Sequence, residues 1–123
     1  MIAKSLITVG LNPAIDCVVR CEGFVSGQVN AGRQVARIAA GKAANVTRAL
    51  ALLGQDVLAM GYLGDCDWPF FKEQLHKLRP GAVACQFNIL PQSTRQNITI
   101  LDGRAETHIR LGACPSNPTS PRV

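Results

Sequence analysis

Two short apolar runs with one amphipathic segment between them limit what this chain can fold into. Ser5 to Gly10 is apolar and β-branched and stops at Asn12-Pro13, which predicts a buried strand. After Gly41, Val46, Ala49, Leu50 and Leu53 fall at i, i+3, i+4 and i+7. That is the spacing of one helical face, and Gly54 is placed to end the helix. Val57 to Leu63 predicts a second buried strand. Strand, helix, strand in this order implies a parallel pair with a right-handed crossover, and the class is α/β.

The remaining elements follow from punctuation. Asp16 to Arg20 and Gln34 to Ala39 alternate weakly and predict short exposed strands, with a Gly-containing loop over Gly23 to Arg33. Asp67-Trp68-Pro69 opens a second helix whose stripe is Phe71, Leu75 and Leu78, and Arg79-Pro80-Gly81 stops it. Val83 to Leu90 reads as a strand ended by Pro91. Thr94 to Leu101 and Arg104 to Leu111 flank Asp102-Gly103, the favoured dipeptide of a type I′ hairpin. Residues 1–112 form one structural portion; residues 113–123 are a Pro/Ser-rich tail without periodicity, expected to be disordered. Two helices cannot cover both faces of a sheet, so an apolar sheet face or edge is expected to stay uncovered.

Composition removes several classes of function. The net charge is +5, but the basic residues are scattered, and three of the six aromatics bunch at Trp68, Phe70 and Phe71. No stacking platform is interleaved with charge, which argues against nucleic acid as a partner. Five cysteines, no Cys-x-x-Cys and two histidines argue against a disulfide framework or a metal site. Reduced, mostly buried thiols in a cytoplasmic protein are the simplest reading. No secretory leader is visible, and no apolar run approaches the ~20 residues of a membrane span.

Three places carry candidate chemistry. Ala40-Gly41-Lys42-Ala43-Ala44-Asn45 sits at a helix start, where small residues admit a ligand to free backbone N–H groups and Lys42 adds a cation. It lacks the Ser/Thr and spacing of a Walker loop, and Gly61-x-x-Gly64 is not a dinucleotide fingerprint. Tight helix packing explains the same small residues equally well. Asn12-Pro13-x-x-Asp16 lies just past a strand end, where α/β sheets bind ligands, and Asp16 could accept from two sugar hydroxyls. A turn-stabilising Asp is the alternative. Thr94-Arg95 offers a bidentate phosphate reader or a solvated edge cation.

Together these residues carry a resemblance. The chain resembles the N-terminal portion of PfkB-family (ribokinase-like) carbohydrate kinases, in their hexose-phosphate branch. Thr8 to Asp16 matches the branch's opening strand motif, and Gly41, Ala43, Asn45, Thr47, Gly54 and Gly64 fall at the spacings of the first family signature. Thr94 to Ile100 and Glu106 to Ile109 match further stretches, so the likeness runs from Ile2 to about Gly112. It implies part of a three-layer αβα sandwich with a small β lid supplied by Asp16 to Arg20, Gln34 to Ala39 and Thr94 to Leu111. Asp16, Gly41 and Asn45 would hold sugar hydroxyls, Lys42 would lie beside them, and Arg95 would lie near a sugar phosphate. It also implies ATP and Mg²⁺ as cofactors, a sugar phosphate as substrate and a homodimer through the lid strands.

Two departures bear on activity. Ala40 and Ala43 replace glycines of the family's Gly-Gly-Lys-Gly segment, and the family's catalytic Gly-x-Gly-Asp motif does not occur in this sequence. The resemblance therefore implies a phosphofructokinase-like phosphotransferase represented by its substrate side, with no catalytic base among these residues and no phosphoryl transfer expected of them alone. The alternative is a truncated, non-catalytic chain that binds a sugar phosphate or pairs with a full-length relative.

Overall fold

A computed structural model describes residues 6–111. The tail expected to be disordered lies outside the described residues. In chain order the elements are β1 (Leu6–Gly10), β2 (Ala14–Arg20), β3 (Arg33–Ala40), α1 (Lys42–Leu52), β4 (Val57–Gly64), α2 (Trp68–His76), β5 (Val83–Leu90), β6 (Arg95–Leu101) and β7 (Glu106–Arg110).

The expected parallel pair is present: β1 lies beside β4 in register Leu6↔Val57 to Gly10↔Gly61, and β5 extends the sheet in the order β1-β4-β5. Helix α1 makes the crossover. It ends in a Schellman motif, with Gly54 N–H donating to Ala51 O and Gln55 N–H to Leu50 O, for which Gly54 adopts φ 87°.

Helix α1 is turned differently from expectation. Its buried residues are Ala44, Thr47 and Ala51, while Val46 and Leu53 are 50% and 76% exposed. The reason lies in the pattern itself: Ala44, Thr47 and Ala51 also fall at i, i+3 and i+7, so the helix has two apolar stripes of equal period. The sheet takes the one with small side chains, which lets the helix approach closely. A buried hydroxyl pair seals the contact. Thr47 Oγ1 donates to Ala43 O at 2.8 Å, so Thr8 Oγ1 supplies the proton of the 2.6 Å Thr8–Thr47 bond.

Helix α2 follows its expected stripe, with Phe71 and Leu75 buried and Leu78 half-buried. Phe87 of β5 packs on Trp68 and Phe71 at ring separations of 5.7 Å. β1 is not the fully buried strand expected: Ile7 and Val9 are 58% and 57% exposed. They point to the sheet face opposite Thr8 and α1, the uncovered apolar face that two helices could not reach.

The second sheet has the order β3-β2-β6-β7. β2 pairs antiparallel with β3 and parallel with β6, setting Asp16 opposite both Ile38 and Asn97. β7 closes an antiparallel hairpin on β6. The expected type I′ turn is absent: that turn needs positive φ at both central residues, and Asp102 has none. Asp102 Oδ1 instead accepts N–H bonds from Arg104 and Ala105 at 2.8 Å each, and only Gly103 takes φ 90°. The thiols are also less uniformly buried than expected. Cys17 and Cys21 are buried and burial pushes the half-buried Cys85 up to about 11, but Cys66 is exposed. Among the described residues no helix is long and apolar enough to cross a membrane.

The two sheets are joined through Asp67, which is 4% exposed. It stands at the N-cap position of α2 without capping it. Its Oδ1 accepts from Arg37 Nη2 of β3 at 3.1 Å, and its Oδ2 accepts the Thr94 N–H at the entrance to β6 at 2.8 Å. Thr94 Oγ1 in turn accepts the Gly64 N–H at 2.9 Å, and the Arg37 guanidinium lies 4.2 Å over the Phe70 ring. Asp67→Ala leaves the buried Thr94 N–H unsatisfied, a cost on the order of 2 kcal/mol. The lost ion pair adds less, because the Arg37 side chain is 35% exposed. The melting midpoint should fall by roughly 10 °C, and a calorimetric scan showing no drop would refute this role.

Candidate functional site

The ends of β1 and β3 and the starts of β2, α1 and β6 converge on a cavity of about 250 Å³. Its floor is apolar, with Met60, Phe71 and Phe87, and its rim carries Asn12, Gly41, Lys42 and Arg95.

Gly41 makes the rim possible. It takes φ 102° and ψ 157°, and a Cβ there would lie 3.2 Å from Pro13 Cα. This conformation, open only to glycine at low cost, turns the chain from β3 into α1 against the Asn12-Pro13 segment. The first intrahelical bond runs from Asn45 N–H to Gly41 O at 3.0 Å. The N–H groups of Lys42, Ala43 and Ala44 therefore have no partner within the helix. No side chain caps this end and no acidic residue sits in the first turn. The terminus presents its partial positive charge uncompensated beside the Lys42 ammonium. The two alanines that replace family glycines fit here, because no non-glycine among the described residues needs positive φ.

Arg95 enters from the first position of β6. Its Nη2 donates to Asn12 O at 3.4 Å and its Nη1 to Asn97 Oδ1 at 3.1 Å. Its Nε is buried and finds no acceptor among the described residues. A buried guanidinium N–H without an acceptor is costly.

The five residues singled out from sequence do not all meet. Gly41, Lys42 and Arg95 line the cavity. Asp16, half-buried on β2, is outside the lining and connects to it through Asn97, whose Nδ2 donates to Asp16 Oδ1 at 2.8 Å. Asn45 is exposed, and its Oδ1 accepts from Arg48 Nη1 at 3.0 Å rather than facing the cavity. Asn12 and Thr47 stand in the motifs read from sequence without a site role of their own, and Asn97 is given none there. For Asn97 a signal existed: it follows Arg95 by two, so the strand period puts both on one face.

A parallel α/β sheet, a cleft at its strand ends lined by Gly41, Lys42 and Arg95, and a second four-stranded sheet beside it define an α/β protein with one candidate site. The chain belongs to the pfkB family of carbohydrate kinases, whose family model matches residues 3–120. It is 34% identical over 104 residues to tagatose-6-phosphate kinase of Staphylococcus epidermidis and 32% identical to 1-phosphofructokinase of Escherichia coli. Each alignment covers 85% of this chain, which spans about a third of those relatives (33% and 32%). A solved possible 1-phosphofructokinase from Thermotoga maritima superposes with TM-score 0.72 at 29% identity, over 86% of this chain and 34% of that one. Phosphofructokinase-2 from E. coli, solved in complex with fructose-6-phosphate, shares the fold with TM-score 0.74 at 19% identity, over 90% and 36% of the two chains. The described residues are thus part of a ribokinase-like α/β fold.

Gly41→Ala should cost about 1–3 kcal/mol, since its backbone conformation is strained for any residue with a Cβ. Gly54→Ala, with nothing within 4 Å of the added carbon, should cost less. Urea midpoints of the two variants in the reverse order would contradict this account of the rim.

Proposed function

We propose that this chain forms the substrate side of a pfkB-type kinase site and binds a phosphorylated hexose of the fructose or tagatose class. The observation that carries the reading is the convergence of Arg95, Lys42 and the uncapped start of α1 on one cavity. Three positive features around one apolar-floored cleft favour a phosphate group. Asp16, reached through Asn97, would accept from sugar hydroxyls, and Gly41 admits the ligand close to the backbone. Asn45 would contribute only by leaving Arg48.

ATP with Mg²⁺ would supply the phosphoryl group and shield its charge. Among the described residues no group of three or more His, Cys, Asp or Glu converges as a cation site, and none is assigned to hold the ion. The sequence also holds no Gly-x-Gly-Asp segment to take the hydroxyl proton. Binding and orienting the sugar is what this chain's residues do; transfer requires groups beyond them, and the 123-residue chain alone should not turn over ATP.

Titration calorimetry with fructose 6-phosphate, fructose 1-phosphate and tagatose 6-phosphate tests the reading. At least one should bind, fructose should not, and Arg95→Ala should weaken binding by about tenfold or more. Affinity should fall as salt is raised from about 0.05 M to 0.5 M. No heat with any of the three at up to about 5 mM would refute it.

A second reading, association through the lid, is favoured by β7: among the described residues it pairs on one side only, and all five of its residues are exposed. An open edge strand recruits another strand. Sedimentation equilibrium should then show a dimer that Ile109→Lys dissociates; a monomer at all concentrations would exclude it.

A further inference from the structure

We infer that Asn97 is a positioning residue of this site, whose side-chain amide couples the Asp16 carboxylate to the Arg95 guanidinium. The inference rests on the sugar-phosphate reading for its consequence but not for its geometry. β2 and β6 run parallel with Asp16 and Asn97 as direct partners, and Arg95 lies two residues before Asn97 on the same strand face. The amide bridges the two charges: Nδ2 donates to Asp16 Oδ1 at 2.8 Å and Oδ1 accepts from Arg95 Nη1 at 3.1 Å.

The orientation of that amide is not arbitrary. A carboxylate only accepts and a guanidinium only donates, so the nitrogen must face Asp16 and the oxygen Arg95. No other side chain of this size performs both tasks. An aspartate at 97 would still accept from Arg95 but would set two carboxylates against each other, and a leucine would serve neither.

The bridge also determines what Arg95 has left to offer. Nη1 gives one of its two N–H groups to Asn97 and Nη2 one of its two to Asn12 O, while the buried Nε has no acceptor among the described residues. A guanidinium held at both outer nitrogens is restrained from rotating, so its remaining donors keep set directions. Asp16 meanwhile keeps Oδ2 free of partners among the described residues. The group for hydroxyls and the group for phosphate are thus held at a set spacing by one amide, which makes their contributions to binding interdependent.

The test uses the full chain with Asn97→Leu and Asn97→Asp, each first checked for a cooperative melt. In the absence of ligand, nitrogen-15 NMR of the Arg95 side chain should show separate Nη signals in the wild type. They should merge in Asn97→Leu, where rotation is released, and stay separate in Asn97→Asp. With fructose 6-phosphate, fructose 1-phosphate or tagatose 6-phosphate as probe, both variants should bind about tenfold more weakly. Asp16→Asn and Arg95→Lys should be non-additive in the wild type and additive in the Asn97→Leu background. If Asn97→Leu does not fold, Asn97→Asp carries the binding arm alone. Unchanged Arg95 signals in Asn97→Leu, or an affinity loss below about twofold in both variants, overturns the inference. If the wild type binds none of the three sugars, the sugar-phosphate reading fails, and the Arg95 signals then decide by themselves whether the bridge exists.

Discussion

One buried carboxylate holds the site's two halves together. Asp67 takes a guanidinium from β3 with one oxygen and a backbone N–H before β6 with the other. Arg37 precedes Gly41 by four residues, and Thr94 immediately precedes Arg95. Whatever displaces the carboxylate therefore moves the glycine turn and the guanidinium together. A charged acceptor suits this post better than a neutral one, because each of its bonds is charge-assisted and the site is nearly dry. The stacking of Arg37 on Phe70 adds a second restraint on the same arm of the lid.

The cavity depends on contrast between its floor and its rim. Met60, Phe71 and Phe87 exclude water from below, and the cations and free N–H groups gather above. Charges beside apolar walls act through a lower effective dielectric than in bulk water, so a few of them suffice to select an anion. This explains how a chain with scattered basic residues can still present one focused positive site. Net charge says little here; the fold brings Lys42 and Arg95 to one rim from positions more than fifty residues apart in the sequence.

Much of this was legible in the sequence, where local pattern had one solution. The parallel pair β1–β4, the α2 stripe of Phe71 and Leu75, and the rim residues Gly41, Lys42 and Arg95 follow from spacing and residue type. Helix α1 was not decided locally, since Val46/Ala49/Leu53 and Ala44/Thr47/Ala51 repeat at the same interval and only the sheet distinguishes them. The hairpin after β6 obeyed its aspartate's side-chain bonds rather than the dipeptide preference. Asp67 and the Asn97–Asp16 contact were opaque for another reason: the partners lie 27 to 81 residues apart, and no pattern along the chain announces such a meeting.

The parallel seam between β2 and β6 has a consequence for how the molecule comes into being. Strand β2 is made early, yet its partner arrives about eighty residues later, after β1, β4 and β5 have been synthesised. Closing so long a loop is entropically slow compared with the local α1 and α2 contacts. On the ribosome, the three-stranded sheet can assemble while β2 and β3 wait as a bare hairpin. The cleft is then completed only when the segment from Thr94 to Asn97 emerges.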